Sequence, residues 1–309
     1  MQSAHVLVTV DLSRIRSNCA AIRERTGVDV IAVVKADAYG LGAIEVARSI
    51  ADLVSEFCVF SLEEARAAKL WENTGKSSIA LGPAMGAGVE QFIAAHVRPA
   101  VWTADEAKRL REANPVLCVD TGMNRFACPA GQIDEVIAAG SISEAMTHAI
   151  RMEHVDRLVS IMANRNMRLH AAASALLENP AAWLNAVRPG LALYRGAARV
   201  STRIVEVRAP NGPAGYTGFL APRFGVILCG YSNGLRPGPC RVNGVAQTVI
   251  EVGMQSAFVE VAPGDRVGDE VVLLGDGLSE ADVATAWGTS QQLALFALAG
   301  SGGRSYTGA

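Results

Sequence analysis

The first two-thirds of the chain alternate short apolar runs with Ala-rich amphipathic stretches, and this alternation restricts the fold more than any other feature. The run VIAVV at 30–34 has the length of a buried strand, and apolar residues spaced three and four apart predict a helix over 43–54. The next unit pairs FCVFS at 57–61 with a helix predicted over 62–71, which begins with two glutamates at its positive end. Repeated strand–helix units form a parallel sheet, and this many in succession predict a closed, TIM-like (β/α)8 barrel.

The pattern changes near Gly196. From there to the end, short β-rich runs are separated by Gly, Pro and Asn turns, and one helical run, SEADVATAWG, interrupts them. We therefore predict an α/β protein with two domains, a barrel at 1–196 and a smaller, mostly β C-terminal domain at 197–309. The segment from 140 to 195 is short for the number of barrel units that it must supply.

Composition excludes several classes of protein. The 309 residues carry 28 Lys plus Arg against 30 Asp plus Glu, which argues against a nucleic-acid partner. No apolar run reaches the ~18 residues of a membrane span, and the N-terminus lacks the segments of a signal peptide. The cysteines lack paired or CxxC spacing, which indicates a reducing, cytoplasmic compartment and no metal site. They are Cys19, Cys58, Cys118, Cys128, Cys229 and Cys240.

Polar side chains follow several predicted strands, at the end of the barrel where active sites lie. Lys35, in AVVKADAYG, comes directly after an apolar strand, where an amine beside a hydrophobic wall can serve as a nucleophile or Schiff-base partner. An isolated lysine is more commonly a solvated loop residue. Four other segments offer comparable groups, namely Asp120, Thr121, Asn124 and Arg125; His148; His170 and Ser174; and Arg188. Five such segments in one barrel favour an active site over separate structural roles.

These segments resemble the alanine racemase family. The matching runs are AVVKADAYGLG, DTGMNR, MTH, HAAASA, RPGLALY and GYSNG, in the family's order. AVVKADAYG and DTGMNR are the specific ones, because the others are short and rich in common small residues. The resemblance implies a barrel followed by a β domain, the cofactor pyridoxal 5'-phosphate, and racemisation of a free amino acid.

The resemblance also implies a role for each matching residue. Lys35 would hold the cofactor covalently and act as one of two catalytic bases. Tyr216, in PAGYTG, would be the second base, supplied by the β domain of a partner subunit in a homodimer with shared active sites. Arg188 would face the pyridine nitrogen, and Arg125 would hold the substrate carboxylate. His148 and His170 would orient Tyr216 and Arg188. The cofactor phosphate would be bound by Tyr39, Ser174, Gly190 and Leu191.

Four positions depart from the family pattern. Cys118 stands where the family commonly has a lysine, Ala257-Phe258 where it has Met-Asp, and Gln292 where it has a tyrosine. These changes leave two readings that keep the cofactor. One is racemisation of an amino acid other than alanine, and the other is a biosynthetic lyase, decarboxylase or epimerase on the same fold. A non-catalytic cofactor-binding protein is disfavoured by the β domain and Tyr216, and a sugar-processing barrel by the lack of a carboxylate pair.

Overall fold

The computed structural model describes residues 3–300 and 302–308. The chain divides into two compact units. The barrel unit comprises Ile15–Ala38 and Gly42–Leu193, and the β unit contains the described residues up to Arg14, the short segment Tyr39–Leu41, and the chain from Tyr194 onward. The first strand, β1 (Ser3–Asp11), belongs to the β unit.

Eight parallel strands close the barrel, so the predicted (β/α)8 architecture is confirmed. They are β2 (Asp29–Val33), β3 (Glu56–Val59), β4 (Ser78–Ala80), β5 (Val97–Val101), β6 (Val116–Cys118), β7 (Glu144–Ala149), β8 (Arg168–Ala172) and β9 (Ala186–Val187). The last strand returns to the first, with Asp29 opposite Ala186. The strands are short and almost wholly buried, as expected where helices cover the outer face of a parallel sheet.

The helices between the strands are mostly one to three turns long. They are α1 (Leu12–Thr26), α2 (Lys35–Tyr39), α3 (Ala43–Ile50), α4 (Leu62–Ala67), α5 (Leu70–Thr74), α6 (Val89–Ala94), α7 (Ala104–Arg109), α8 (Ile133–Gly140), α9 (Met152–Met162) and α10 (Leu191–Tyr194). The helix predicted over 62–71 is broken in two, because Lys69 adopts a left-handed conformation with φ 45° and ψ 49°. Short 3₁₀ turns occur at Arg111–Ala113, Ala130–Gln132, Ser174–Leu176 and Pro180–Ala182. Only the last two lie between β8 and β9, which explains why the 140–195 segment is short.

The β unit is one eight-stranded sheet in the order β11-β14-β13-β12-β15-β10-β1-β16, and β10 also pairs with β11. The pairs are antiparallel except β1 with β16. The strands are β10 (Ala198–Arg208), β11 (Phe224–Ile227), β12 (Gly238–Val242), β13 (Val245–Val252), β14 (Ala257–Glu260), β15 (Glu270–Leu274) and β16 (Gly302–Thr307). Helices α11 (Glu280–Ala286) and α12 (Gln291–Ala299) and the 3₁₀ turn Tyr231–Asn233 complete the unit.

This division differs from the predicted domains 1–196 and 197–309 at the N-terminus, because β1 pairs with β10 and β16. Val6, Val8 and Val10 are fully buried. Leu7, between two of them, is 52% exposed. Such alternation is typical of a sheet with one solvated face, whereas barrel strands are buried on both faces. The helix α12 was also missing from the sequence prediction.

The described residues contain neither a membrane-spanning helix nor a cluster of metal-binding side chains. Over residues 3–300 and 302–308, no helix is long and apolar enough to cross a membrane. Over the same part of the chain, no group of three or more His, Cys, Asp or Glu side chains could hold a metal ion.

Candidate active site

Lys35 lies just past β2, at the start of a strained turn. The four residues that follow it, Ala36–Tyr39, have φ between 53° and 59°, in the left-handed region. Each such non-glycine residue costs about 1–2 kcal/mol, so surrounding contacts must hold the turn. The Asp37 carboxylate accepts the N–H of Ala43 at 2.8 Å, and Glu64 accepts the N–H of Ala36 at 3.1 Å. Lys35 is half-buried. The turn therefore fixes the direction in which the Lys35 amine leaves the strand end.

A buried arginine lies at the end of β9. Arg188 is 5% exposed, and its guanidinium donates to Nδ1 of His170, to the His170 carbonyl at 2.9 Å, and to the Thr147 carbonyl. A guanidinium is only ever a donor, so Nδ1 of His170 must be unprotonated. His170 is therefore a neutral ring with its proton on Nε2.

Glu144, at the start of β7, contacts the other ring nitrogen of His170. Its Oε1 lies 3.0 Å from His170 Nε2, and its Oε2 lies 2.7 Å from Arg98 Nη2. Burial alone would raise the pKa of Glu144, but His170 and Arg98 lower it to about 2. Complete burial, followed by the charge of Arg188, lowers the pKa of His170 to about 4. At neutral pH the ionised carboxylate of Glu144 therefore lies beside the neutral imidazole of His170, and this imidazole accepts a hydrogen bond from Arg188.

The His170 site predicts a pH-dependent stability. Its pKa is about 4 in the folded protein, against an ordinary value of 6.5. Between these pH values the unfolded chain binds a proton that the folded chain excludes. The free energy of unfolding should therefore fall as pH is lowered from 6.5 to 4, with a contribution from His170 of about 1–3 kcal/mol.

Urea denaturation at pH 7, 6 and 5 measures this effect. We expect His170→Gln to flatten the pH dependence relative to the wild type, because glutamine does not titrate. His5→Gln, at an exposed position, is the matched control and should leave the slope unchanged. Equal slopes in wild type and His170→Gln would show that His170 is not buried as a neutral ring.

The turn before α10 converges on Ser174. The Ser174 hydroxyl oxygen accepts the N–H of Gly190 and the N–H of Ala192, both at 3.0 Å. Leu191, between these two residues, is buried. The N–H groups of Gly190 and Ala192 are satisfied by Ser174 in this structure, and a hydroxyl and main-chain N–H groups are the kinds of donor that bind an anion such as phosphate. Three of the four predicted phosphate-binding residues therefore lie together in the barrel unit.

The fourth, Tyr39, falls in the β unit. Its ring lies against Tyr194, with centroids 5.0 Å apart and ring planes inclined at 45°. The contact places an aromatic pair at the end of the strained turn. The phosphate-binding role of Tyr39 stays a prediction.

His148 lies in β7, and Arg125 lies in the loop after β6. His148 is the exposed residue near the end of the otherwise buried β7. Desolvation by the surrounding barrel, followed by the charges of Arg188 and Lys35, lowers its pKa to about 4. Arg125 is also exposed, with its guanidinium carbon 5.6 Å from the Phe126 ring centroid. Its loop is shaped by Asp120, whose carboxylate accepts the N–H groups of Gly122 and Asn124.

The cysteines of the barrel do not supply a reactive anion. Burial raises the pKa of Cys118 to about 11 and that of Cys58 to about 12, even though Arg188 opposes both shifts. Both thiols are therefore neutral at physiological pH and poor nucleophiles.

The remaining predicted positions lie in the β unit. Tyr216 is 86% exposed, and its N–H donates to Glu251 at 2.7 Å. Ala257 is fully buried in β14, and Gln292 is exposed on α12. Phe258 packs edge-on against Phe219 and Phe224, with centroids 5.3 Å away in each case. The ring at 258 therefore contacts other aromatic rings of its own unit.

Sequence reasoning missed two carboxylates, Glu144 and Glu251. Both are buried, at 4% and 6% exposed, and both lie in strands, Glu144 in the largely buried β7 and Glu251 near the end of β13. A charged residue inside such a strand was the available signal, because an unpaired buried charge is costly and indicates a partner.

Comparisons with known proteins agree with this architecture. The sequence profile described as "Alanine racemase, N-terminal domain" matches residues 10–198. The alanine racemase of Neisseria meningitidis serogroup A (strain Z2491) is 30% identical over 331 residues, an alignment covering 91% of this chain and 94% of the relative. The alanine racemase of Pseudomonas entomophila is 30% identical over 345 residues, covering 94% and 95%.

Solved structures have the same fold. The alanine racemase from Streptomyces coelicolor A3(2) gives a TM-score of 0.89 at 22% identity, covering 98% of both chains. The enzyme from Bartonella henselae, described with covalently bound pyridoxal phosphate, gives 0.87 at 22% identity, covering 98% of this chain and 100% of its own. At these identities the structures establish the fold. The fold, the family profile and the full-length relatives together show that the chain belongs to the alanine racemase family.

Proposed function

We propose that this protein is a pyridoxal 5'-phosphate-dependent amino-acid racemase that uses two bases, Lys35 and Tyr216. One observation carries the proposal: a lysine at the end of β2 and a buried, histidine-braced arginine at the end of β9 belong to neighbouring strands of one barrel. Family membership adds the racemase activity, because the full-length relatives are alanine racemases.

The donor set of the barrel fits the cofactor. The Ser174 hydroxyl, held in place by the N–H groups of Gly190 and Ala192, would bind its phosphate. The Arg188 guanidinium would face the pyridine nitrogen, and because a guanidinium does not give up its proton, that nitrogen would stay unprotonated. Lys35 supplies the amine for covalent attachment. When bound, pyridoxal phosphate delocalises the negative charge that forms at the substrate Cα.

Racemisation requires a proton to leave one face of Cα and another to arrive on the opposite face. Lys35 serves one face and Tyr216 the other, each alternately holding and delivering the proton. Arg125 holds the substrate carboxylate through its forked N–H groups. Glu144 and His170 keep Arg188 fixed during both transfers.

The active unit is a homodimer in which Tyr216 of one subunit completes the barrel site of the other. Two observations support this arrangement. Tyr216 belongs to the β unit, and its side chain is 86% exposed, so it is available to a second chain.

The working compartment is the cytoplasm, because all six cysteines, which lie in the described part of the chain, are free thiols.

The cofactor assignment predicts a covalent label at one lysine. Purified protein supplied with pyridoxal phosphate should show a visible absorption band that borohydride bleaches. Peptide mass spectrometry should then locate the added mass on Lys35. Protein that takes up no cofactor, or a label on Lys69, Lys76 or Lys108 instead, would contradict the assignment.

The departure at Gln292, which is exposed on α12, favours a substrate larger than alanine. Losing the phenol that the family carries at the Gln292 position opens space, and one methylene of pocket change shifts discrimination by about 1–3 kcal/mol. We expect a panel from alanine to serine, lysine, methionine and phenylalanine to give the highest kcat/KM for a larger side chain. Gln292→Tyr should shift the ranking of the substrates by kcat/KM towards alanine. The prediction is contradicted if the wild type prefers alanine and the ranking is the same in the variant.

A further inference from the structure

The loop that carries Tyr216 is attached to β13 by a single carboxylate. Glu251 Oε1 accepts the Tyr216 N–H at 2.7 Å, and Oε2 accepts the Thr217 N–H at 2.7 Å and the Thr217 hydroxyl. Glu251 is 6% exposed. Hydrogen bonds to a carboxylate are among the stronger ones in proteins. Both oxygens of one buried group are thus committed to two consecutive residues of the loop.

The turn is built so that the carboxylate can approach closely. Gly215 has φ +69°, and a Cβ there would lie 2.4 Å from Glu251 Oε1 and 2.7 Å from the Phe219 ring. A side chain at 215 would therefore displace either the carboxylate or the ring. The Ala214 N–H donates to the Phe219 carbonyl at 2.9 Å, which closes the loop across its base. Glycine at this position is a requirement of the Glu251 contact.

The other end of the loop is held by aromatic packing. Phe219 lies edge-on to Phe224 and Phe258, with centroids 5.4 Å and 5.3 Å away. Phe224 and Phe258 belong to β11 and β14, so the loop is anchored to three strands when β13 is included. Its base is fixed while the Tyr216 ring projects into solvent, 86% exposed.

We propose that Glu251 is the positioning residue of Tyr216, in that it fixes the direction in which the phenol is presented to the reacting Cα. This inference rests on the proposed function, because it assigns a role relative to the second base. Loss of the carboxylate would leave the two loop N–H groups without their acceptor and free the turn. A misplacement of about 1 Å at a reacting group costs on the order of 10²-fold in rate.

The test compares Glu251→Ala, Glu251→Gln and the control Glu260→Gln, an exposed carboxylate on the neighbouring strand β14. Glutamine keeps one acceptor oxygen but turns an N–H donor towards the loop amides, so it should restore only part of the function. We expect kcat to fall about 10²-fold in Glu251→Ala and less in Glu251→Gln, with KM nearly unchanged. Glu260→Gln should match the wild type.

Proton exchange in D₂O separates a positioning role from general damage. Lys35 should still exchange the α-proton of one enantiomer with retention of configuration in Glu251→Ala, while exchange of the other enantiomer falls together with racemisation. Unchanged kcat, or equal loss of exchange for both enantiomers, would overturn the inference. If Tyr216→Phe is defective while Glu251→Ala is normal, only this inference fails. If the wild type exchanges no amino acid, the proposed function fails with it.

Discussion

Lys35→Ala should abolish racemisation, with kcat reduced by at least about 10³-fold, because one substitution removes both the covalent attachment of the cofactor and one of the two bases. The strained left-handed turn after Lys35 offers no other amine at this strand end. Alanine is tolerated at the end of a strand, so the barrel should fold normally.

Chiral chromatography of the product measures the loss, and the far-UV circular dichroism of each variant checks the fold. Lys108→Ala, at an exposed position on α7, is the matched control and should retain wild-type activity. Substantial racemisation by Lys35→Ala would show that Lys35 is neither the attachment point nor a base.

Mixing two inactive variants should restore activity if the sites are shared. In a heterodimer of Lys35→Ala and Tyr216→Phe subunits, one site receives both lesions and the other receives neither. We therefore expect about a quarter of wild-type activity for random pairing and about half for pure heterodimers.

The control pairs two lesions of the same barrel, Lys35→Ala and Arg188→Gln. Each site of that heterodimer then contains one defect, so the mixture should stay inactive. Heterodimers of the first pair that form, as shown by differential tagging, but remain inactive would mean that each site is built within one chain.

Local patterns were enough to predict the barrel, because each strand–helix unit is a short segment with its own periodicity. The sequence does not show that β1 joins the β unit, because its partner lies far along the chain, with Val8 opposite Val200. The alternation of buried and exposed residues in β1 was visible, but which sheet it joins depends on long-range pairing. The sequence also does not reveal the helix break at Lys69, because the apolar spacing continues through it.

Some residues of the candidate site could likewise be predicted from local sequence, and others could not. Lys35 and Arg188 could be identified because their motifs place polar groups directly after strands, whereas His170 lies within β8 and was indicated by its motif alone. Glu144 and Glu251 could not, because their roles depend on which donors the folded chain brings within 3.0 Å of them. Phe258 shows the same limit, since its packing against Phe219 and Phe224 depends on contacts between residues far apart in the sequence.

The most direct test of the racemase assignment is α-proton exchange read together with configuration. Holoenzyme is incubated in D₂O with each amino acid of the panel, as the separate L and D enantiomers, and followed by proton NMR and chiral chromatography. Two bases on opposite faces predict that the α-proton signal disappears while both enantiomers converge on a racemic mixture. Exchange with complete retention, release of CO₂, or no exchange with any amino acid would contradict the assignment.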